Sequence, residues 1–107
     1  MQRIVRREVK TFLNNVSSNA VVEINKQQIE NKVQVIEELI KVAPLTAHHS
    51  HSTKRIHINI IDGDEGLVIE LGRDSSRDQE YWVFYLGYGE TYVNEIGRIT
   101  TNLFDNF

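Results

Sequence analysis

The stretch of the chain that most constrains its fold is an unbroken run of aromatic and aliphatic residues in the C-terminal third. From Tyr81 to Leu86 the sequence reads Tyr-Trp-Val-Phe-Tyr-Leu, and Gly87 and Gly89 follow on either side of Tyr88. Aromatic and β-branched residues favour strands, and a short apolar run that ends at glycine is typical of a buried strand. The sequence therefore predicts a largely buried strand through this run.

Alternation along this strand divides its side chains between two faces of the sheet. The two sets are Trp82, Phe84 and Leu86 on one face, and Tyr81, Val83 and Tyr85 on the other. The first set is the more apolar, so we expect a helix to cover it. The tyrosine face tolerates partial exposure, because each hydroxyl can stay in contact with water.

The segment that fits this covering role is an amphipathic helix over residues 26–43. Its apolar stripe, at helical spacing, consists of Ile29, Val33, Ile36 and Ile40, widened by Leu39. Asn25 is placed to cap the first turn, and Pro44 disfavours a helical residue before it. We expect this stripe to pack on the sheet.

Residues 3–13 fit two structures. Val5, Val9, Phe12, Leu13 and Val16 share one arc of a helical wheel, whereas Val5, Val9, Thr11 and Leu13 alternate with charged residues as in a strand. A hairpin with a second strand at 20–24 would begin the domain sensibly, so the strand is the preferred interpretation.

Shorter alternating segments complete the sheet. Ile56–Ile60 and Leu67–Leu71 flank Asp62-Gly63, a dipeptide that favours a tight hairpin because such turns need positive φ. Residues 95–100 read as a short final strand. Strands before and after one helix predict a single α+β domain over residues 1–107, with a mostly antiparallel sheet of about five strands and the helix on one face.

Charge restricts the classes of partner. The net charge is −3, but residues 1–10 carry four basic and one acidic side chain, so they sum to +3 and the rest of the chain to −6. An acidic body repels nucleic-acid phosphates and suits a basic protein partner. The chain has no cysteine, no membrane-length apolar run and no apolar signal core near Met1. We therefore expect a cytoplasmic location.

Catalytic and metal signatures are weak. His48, His49 and His51 lie within four residues and could bind zinc, copper or nickel, but a His-Ser-rich loop is more often a solvated connector. The carboxylates cluster at turns, where backbone geometry alone accounts for Asp, and no Gly-x-Ser-x-Gly motif is present. We expect a protein that is not an enzyme and has no cofactor.

The polar segment from Arg73 to Glu80 carries charges of both signs and stands beside Tyr85, Tyr88 and Tyr92. One interpretation is a solvated loop whose local ion pairs contribute little. The other is the polar rim of a protein interface with aromatic anchors. The sequence leaves both open.

In size, charge and layout, this cysteine-free acidic chain resembles the bacterial immunity proteins that neutralise toxins, including those of contact-dependent growth inhibition systems. The resemblance implies a cytoplasmic protein that binds a cognate basic toxin domain, often a nuclease, and occludes its active site. The implied contact residues are Asp62, Asp64, Glu65, Asp74, Asp78, Glu80, Tyr85, Tyr88 and Tyr92. The alternatives are a metal-binding protein that uses the histidine loop and a structural module without a site of its own.

Overall fold

A computed structural model describes residues 2–43, 52–77, 79–85 and 95–105. Within these residues the chain forms two helices and six strands: α1 (Gln2–Asn14), β1 (Val21–Ile24), β2 (Gln27–Gln28), α2 (Lys32–Ile40), β3 (Ser52–Asp62), β4 (Glu65–Asp74), β5 (Glu80–Tyr85) and β6 (Glu95–Thr100). The strands form one antiparallel sheet in the order β2-β1-β3-β4-β5-β6. The α+β class and the antiparallel sheet are confirmed, with one more strand and one more helix than predicted.

The predicted hairpin between β3 and β4 forms at the expected place. Asp62 pairs with Glu65 across a two-residue turn, and Gly63, the first residue of that turn, has φ of 64°. Glycine reaches this left-handed conformation at no steric cost, which is why it occupies the first position of a type II′ turn.

The preferred interpretation of residues 3–13 as a strand is wrong, because the segment lies within α1. Val9 and Leu13, four residues apart, are buried in the core, and Phe12 and Val16 pack against it. Only a helix turns these side chains to one side, since a strand would direct Phe12 and Leu13 to opposite faces. A hydrogen bond of 2.8 Å from the Arg6 guanidinium to the carbonyl of Ile96 ties α1 to β6.

The predicted helix at 26–43 is too long at both ends, because α2 runs only from Lys32 to Ile40. Asn25 and Lys26 have φ of 52° and 73°, as a two-residue type I′ turn requires, and they join β1 to β2. Asparagine tolerates this conformation better than most residues. The backbone N–H of Asn25 donates to the His57 carbonyl at 2.7 Å, and the side-chain Oδ1 of Asn25 accepts from the backbone N–H of His57 at 2.9 Å. Asn25 is therefore a turn residue rather than a helix cap, and α2 begins only at Lys32.

The two faces of β5 are the reverse of those predicted. Tyr81 and Val83 are buried in the core with the helices, whereas Trp82 and Phe84 lie on the opposite face. The Tyr81 hydroxyl donates to Asp105 Oδ1 at 2.9 Å, and burial raises the pKa of Tyr81 to about 12. The hydroxyl thus reaches a polar partner at the edge of the core, so the ring can be buried at little cost.

The core lies between one face of the sheet and the two helices. Its buried members include Val22, Ile24, Val35, Leu39, Val42, Ile56, Ile58, Ile60, Leu67, Ile69, Leu71, Ile96, Ile99 and Phe104. After α2 the chain pairs with β6 through two hydrogen bonds between Ala43 and Arg98, of 3.0 and 2.9 Å. A side chain at Gly97 would overlap the Ala43 carbonyl, so this close approach needs glycine. Neither helix of the described part of the chain is long and apolar enough to cross a membrane.

Candidate functional site

The structure divides the predicted contact residues between the two ends of β4. Asp62, Asp64 and Glu65 lie at the β3–β4 turn, and Asp74 and Glu80 lie at the opposite end of the strand. A strand of ten residues is about 30 Å long, so these carboxylates do not form one patch. The predicted contacts Asp78, Tyr88 and Tyr92 and the histidines His48, His49 and His51 lie outside the described residues.

The turn carboxylates form a surface that we call the acidic tip, consisting of Asp62, Asp64 and Glu65. Asp64 and Glu65 are exposed. Asp62 accepts hydrogen bonds from the Ser17 hydroxyl at 2.7 Å and from the Ser17 backbone N–H at 2.9 Å. These bonds hold the pKa of the Asp62 carboxyl below its usual value and fix the tip against the segment that follows α1. The tip is therefore a positioned group of negative charges.

Asp74 is buried and its carboxylate serves the fold. It accepts the backbone N–H groups of Ser76 and Arg77 at 2.9 and 3.0 Å and the indole N–H of Trp82 at 2.9 Å. The Arg98 guanidinium lies 3.7 Å away. The Asp74 side chain has no exposed surface, so a partner protein has no direct access to it in this conformation.

Arg98 is the centre of a second group, the arginine cluster, formed by Arg98, Asp74, Glu80, Glu95 and Trp82. The guanidinium donates to Glu80 Oε2 at 2.7 Å and lies over the Trp82 ring, 4.3 Å from its centroid. Glu95 Oε2 and Arg98 Nε are 3.6 Å apart, and both are buried without a hydrogen bond. Burial raises the pKa of Glu95, although Arg98 opposes this shift. Glu80 is thereby engaged within the protein as well.

The sheet face opposite the helices continues this pattern of cations over aromatic rings. The Arg55 guanidinium lies over the ring of Phe84, 4.0 Å from its centroid, and pairs with Glu70 at 3.0 Å. His57 Nδ1 lies 3.6 Å from the same carboxylate. Tyr85, a predicted anchor, belongs to the other face of the sheet, where it is half-buried and packs against the core. The face opposite the helices thus carries two aromatic rings covered by arginines, and its Arg55 and Glu70 side chains are paired with each other.

An open polar groove of about 490 Å³ separates α2 from the end of β6. Its lining consists of Gln34, Glu37, Glu38, Gln79, Thr100, Thr101, Asn102 and Leu103. The Lys41 ammonium donates to Glu38 at 2.8 Å and lowers the pKa of that carboxyl. The groove offers hydrogen-bonding groups to a polar surface. Across the described residues there is no group of three or more His, Asp or Glu side chains that could hold a metal ion.

A smaller apolar groove of about 290 Å³ lies between the end of α1 and the first half of α2. Its lining consists of Leu13, Val16, Ser17, Ser18, Lys32, Val33, Ile36 and Glu37. Val33 is 62% exposed, which makes it the most exposed large apolar residue of the described chain. Lys32 is turned to the backbone, because its ammonium donates to the carbonyls of Ser18 at 2.8 Å and Ala20 at 2.6 Å.

The sequence interpretation missed this groove because it placed Val33 in the buried stripe of the helix. The stripe that α2 buries is Val35 and Leu39, continued by Val42 after the helix ends. Residues two positions apart lie about 200° around a helix, so burial of Val35 turns Val33 outward. The buried set has the spacing i, i+4, i+7, and Ile29, Val33 and Ile36 of the predicted stripe have the same spacing, so periodicity alone does not distinguish the two sets.

Comparison with models of known families, with characterised proteins and with solved structures found no match to this chain.

Proposed function

We propose that this chain is a binding protein that occludes a basic protein partner by stoichiometric association, as the immunity proteins that it resembles occlude toxin domains. The observation that carries the proposal is the acidic tip. Of the predicted contact carboxylates, Asp62, Asp64 and Glu65 are brought together on an accessible hairpin, whereas Asp74 and Glu80 are engaged with Arg98.

The physical basis of the proposal is electrostatic. The chain beyond residue 10 carries a charge of −6, and the tip concentrates part of that charge on a turn that Ser17 holds in place. Fixed charges of one sign attract a basic surface before contact and raise the association rate. A positioned tip also loses less conformational entropy on binding than a free loop does. The proposed partner is a basic toxin domain, and the proposed location of the complex is the cytoplasm. Tyr85, Tyr88 and Tyr92 remain proposed aromatic contacts with that partner.

The test uses a partner isolated with the chain. Native mass spectrometry of the chain recovered from its own cells identifies a stoichiometric protein partner, and stopped-flow mixing of the two purified proteins gives the association rate. Asp64→Lys should slow association by about tenfold at low salt, since a charge reversal at the contact weakens steering, and the effect should shrink as salt is raised. The matched control is Glu8→Lys, the same charge reversal at an exposed position on α1.

Two outcomes contradict the proposal. An association rate that depends neither on salt nor on Asp64 removes the electrostatic mechanism. A substrate that the chain converts with turnover removes the class of function.

A further inference from the structure

We infer that the apolar groove between α1 and α2 is an anchor pocket, which receives an apolar side chain of a basic partner next to one of its Lys or Arg residues. This inference rests on the proposed function and adds the site and the partner chemistry. It joins two features, the exposed groove around Val33 and the acidic tip, that share the residue Ser17.

The geometry of the groove supports an apolar occupant. Leu13, Val16, Val33 and Ile36 supply its apolar lining. Leu13 is fully buried and Val16 and Ile36 are half-buried, whereas most of the Val33 surface is open to solvent. A single exposed valine is ordinary on a protein surface, but this one borders a concavity of about 290 Å³. Concave apolar pockets at the centre of a contact are where anchor residues bind.

Charge around the groove favours a basic flank on the occupant. Ser17 lines the groove, and its backbone N–H and its hydroxyl both donate to the Asp62 carboxylate. The groove therefore opens directly beside the acidic tip. Glu37 lies on the α2 side of the same groove and is exposed. The charged groups of the groove and tip are Asp62, Asp64, Glu65, Glu37 and Lys32, with a net charge of −3. Lys32 is held by two backbone carbonyls, so it is poorly placed to attract an anion.

An apolar centre with a charged border is the usual arrangement of a protein interface. The groove therefore fits a side chain such as Leu or Phe that stands between basic residues. An acidic neighbour on the occupant would meet the carboxylates of the tip and would be repelled.

The probes for this inference are three six-residue peptides, Lys-Lys-Leu-Phe-Lys-Lys, Lys-Lys-Ser-Ser-Lys-Lys and Glu-Glu-Leu-Phe-Glu-Glu, with blocked ends. Each is titrated into the full chain carrying ¹³C-labelled methyl groups, and the methyl resonances of Val33 and Ile36 report on the groove. We expect saturable shifts with the first peptide and affinities about tenfold or more lower with the other two, since one loses the apolar anchor and the other the charge match.

The variant is Val33→Ser, which should weaken binding of the Leu-Phe peptide by about tenfold and leave the Ser-Ser peptide unaffected. Because Val33 is largely exposed, the variant should keep its fold, which its unfolding midpoint checks. The matched control is Ile61→Ser on β3, at the other large apolar residue that is exposed among the residues the structure describes.

The outcomes separate this inference from the proposed function. If both basic peptides bind equally and Asp64→Lys weakens both, the anchor pocket is wrong and the electrostatic contact stands. Absence of saturable binding by the Leu-Phe peptide also overturns the pocket. Shifts of the Val33 methyl groups that grow with protein concentration, without peptide, would show that a second copy occupies the groove and would overturn the inference as well.

Discussion

At the scale of single residues, two aspartates that look alike in the sequence, Asp74 and Asp64, have different environments in the structure. Asp74 lies beside Ser75 and Ser76 in a polar segment, as a solvated turn residue would. In the structure it satisfies two backbone N–H groups and the Trp82 indole, and it faces Arg98. Asp64, ten residues earlier, occupies a turn with its side chain in solvent. The two aspartates differ in burial, because Asp74 is the last residue of β4 and packs beside β5 and β6, whereas Asp64 lies in the β3–β4 turn.

We predict that Asp74→Ala lowers the free energy of unfolding by about 3–5 kcal/mol. The substitution leaves three partly buried donors without their acceptor. It also removes a fully buried carboxylate beside Arg98, and loss of one partner from a buried charged group is costly. Urea unfolding measures the change. Asp64→Ala, at an exposed turn, should stay within about 0.5 kcal/mol of the parent protein. A loss as small at Asp74 would mean that the arginine cluster does not stabilise the fold.

At the scale of elements, α2 is apolar on more than one side, and this decides how it packs. Val35 and Leu39 face the core, while Ile36 and Ile40 are half-buried beside them and Val33 is exposed. A helix this apolar cannot bury all of its surface against one sheet. The surplus apolar side forms the groove with the end of α1. The same element therefore supplies both the packing of the fold and the proposed anchor pocket.

We predict that two truncations in α2 separate these roles. Leu39→Ala should lower the free energy of unfolding by about 2–5 kcal/mol, because the leucine is 1% exposed and its removal leaves a cavity. Val33→Ala, in the same helix, should change it by no more than about 0.5 kcal/mol. Thermal unfolding followed by circular dichroism compares the two variants. Equal losses would show that α2 packs on the sheet in a different rotation.

At the scale of the whole molecule, a few long-range hydrogen bonds add to the hydrophobic core in joining the helical segments to the sheet. Ser17 and Asp62 are 45 positions apart in the sequence, and their two hydrogen bonds join the end of the α1 segment to the β3–β4 hairpin. After α2, Ala43 pairs with Arg98 and so joins the end of the α2 segment to β6. The Ser17–Asp62 contact places the acidic tip beside the apolar groove, because Ser17 lines that groove.

We predict that the Ser17–Asp62 contact makes stability depend on pH. The pKa of Asp62 is lower in the folded state than its usual value of 3.8, so the ionised carboxylate stabilises the fold above that value. This contribution is lost as the pH falls through the folded-state pKa. Ser17→Ala should therefore destabilise the protein at pH 7, and the loss should shrink below pH 3.8. Urea unfolding of Ser17→Ala, Asp62→Asn and the double variant measures this. Strictly additive losses, or a loss that does not vary with pH, would contradict it.

The sequence by itself determined those features that depend on neighbouring residues. The α+β class, the β3–β4 hairpin at Gly63, the aromatic strand and the existence of a helix before residue 43 follow from periodicity and turn chemistry, which act over a few positions. The exposure of Asp64 and Glu65 follows from the same turn. These are local preferences, and the folded chain keeps them.

Only the tertiary structure decided which side of each element is buried. Tyr81 faces the core because Asp105, far along the chain, accepts its hydroxyl, and Trp82 faces away because Asp74 and Arg98 receive its indole. Residues 3–13 are helical because β6 and α2 provide an apolar surface for Val9 and Leu13. The shortened α2 and the exposed Val33 depend on the β1–β2 turn and on packing against the sheet. Burial is a property of contacts between distant residues, and local patterns leave more than one such arrangement open.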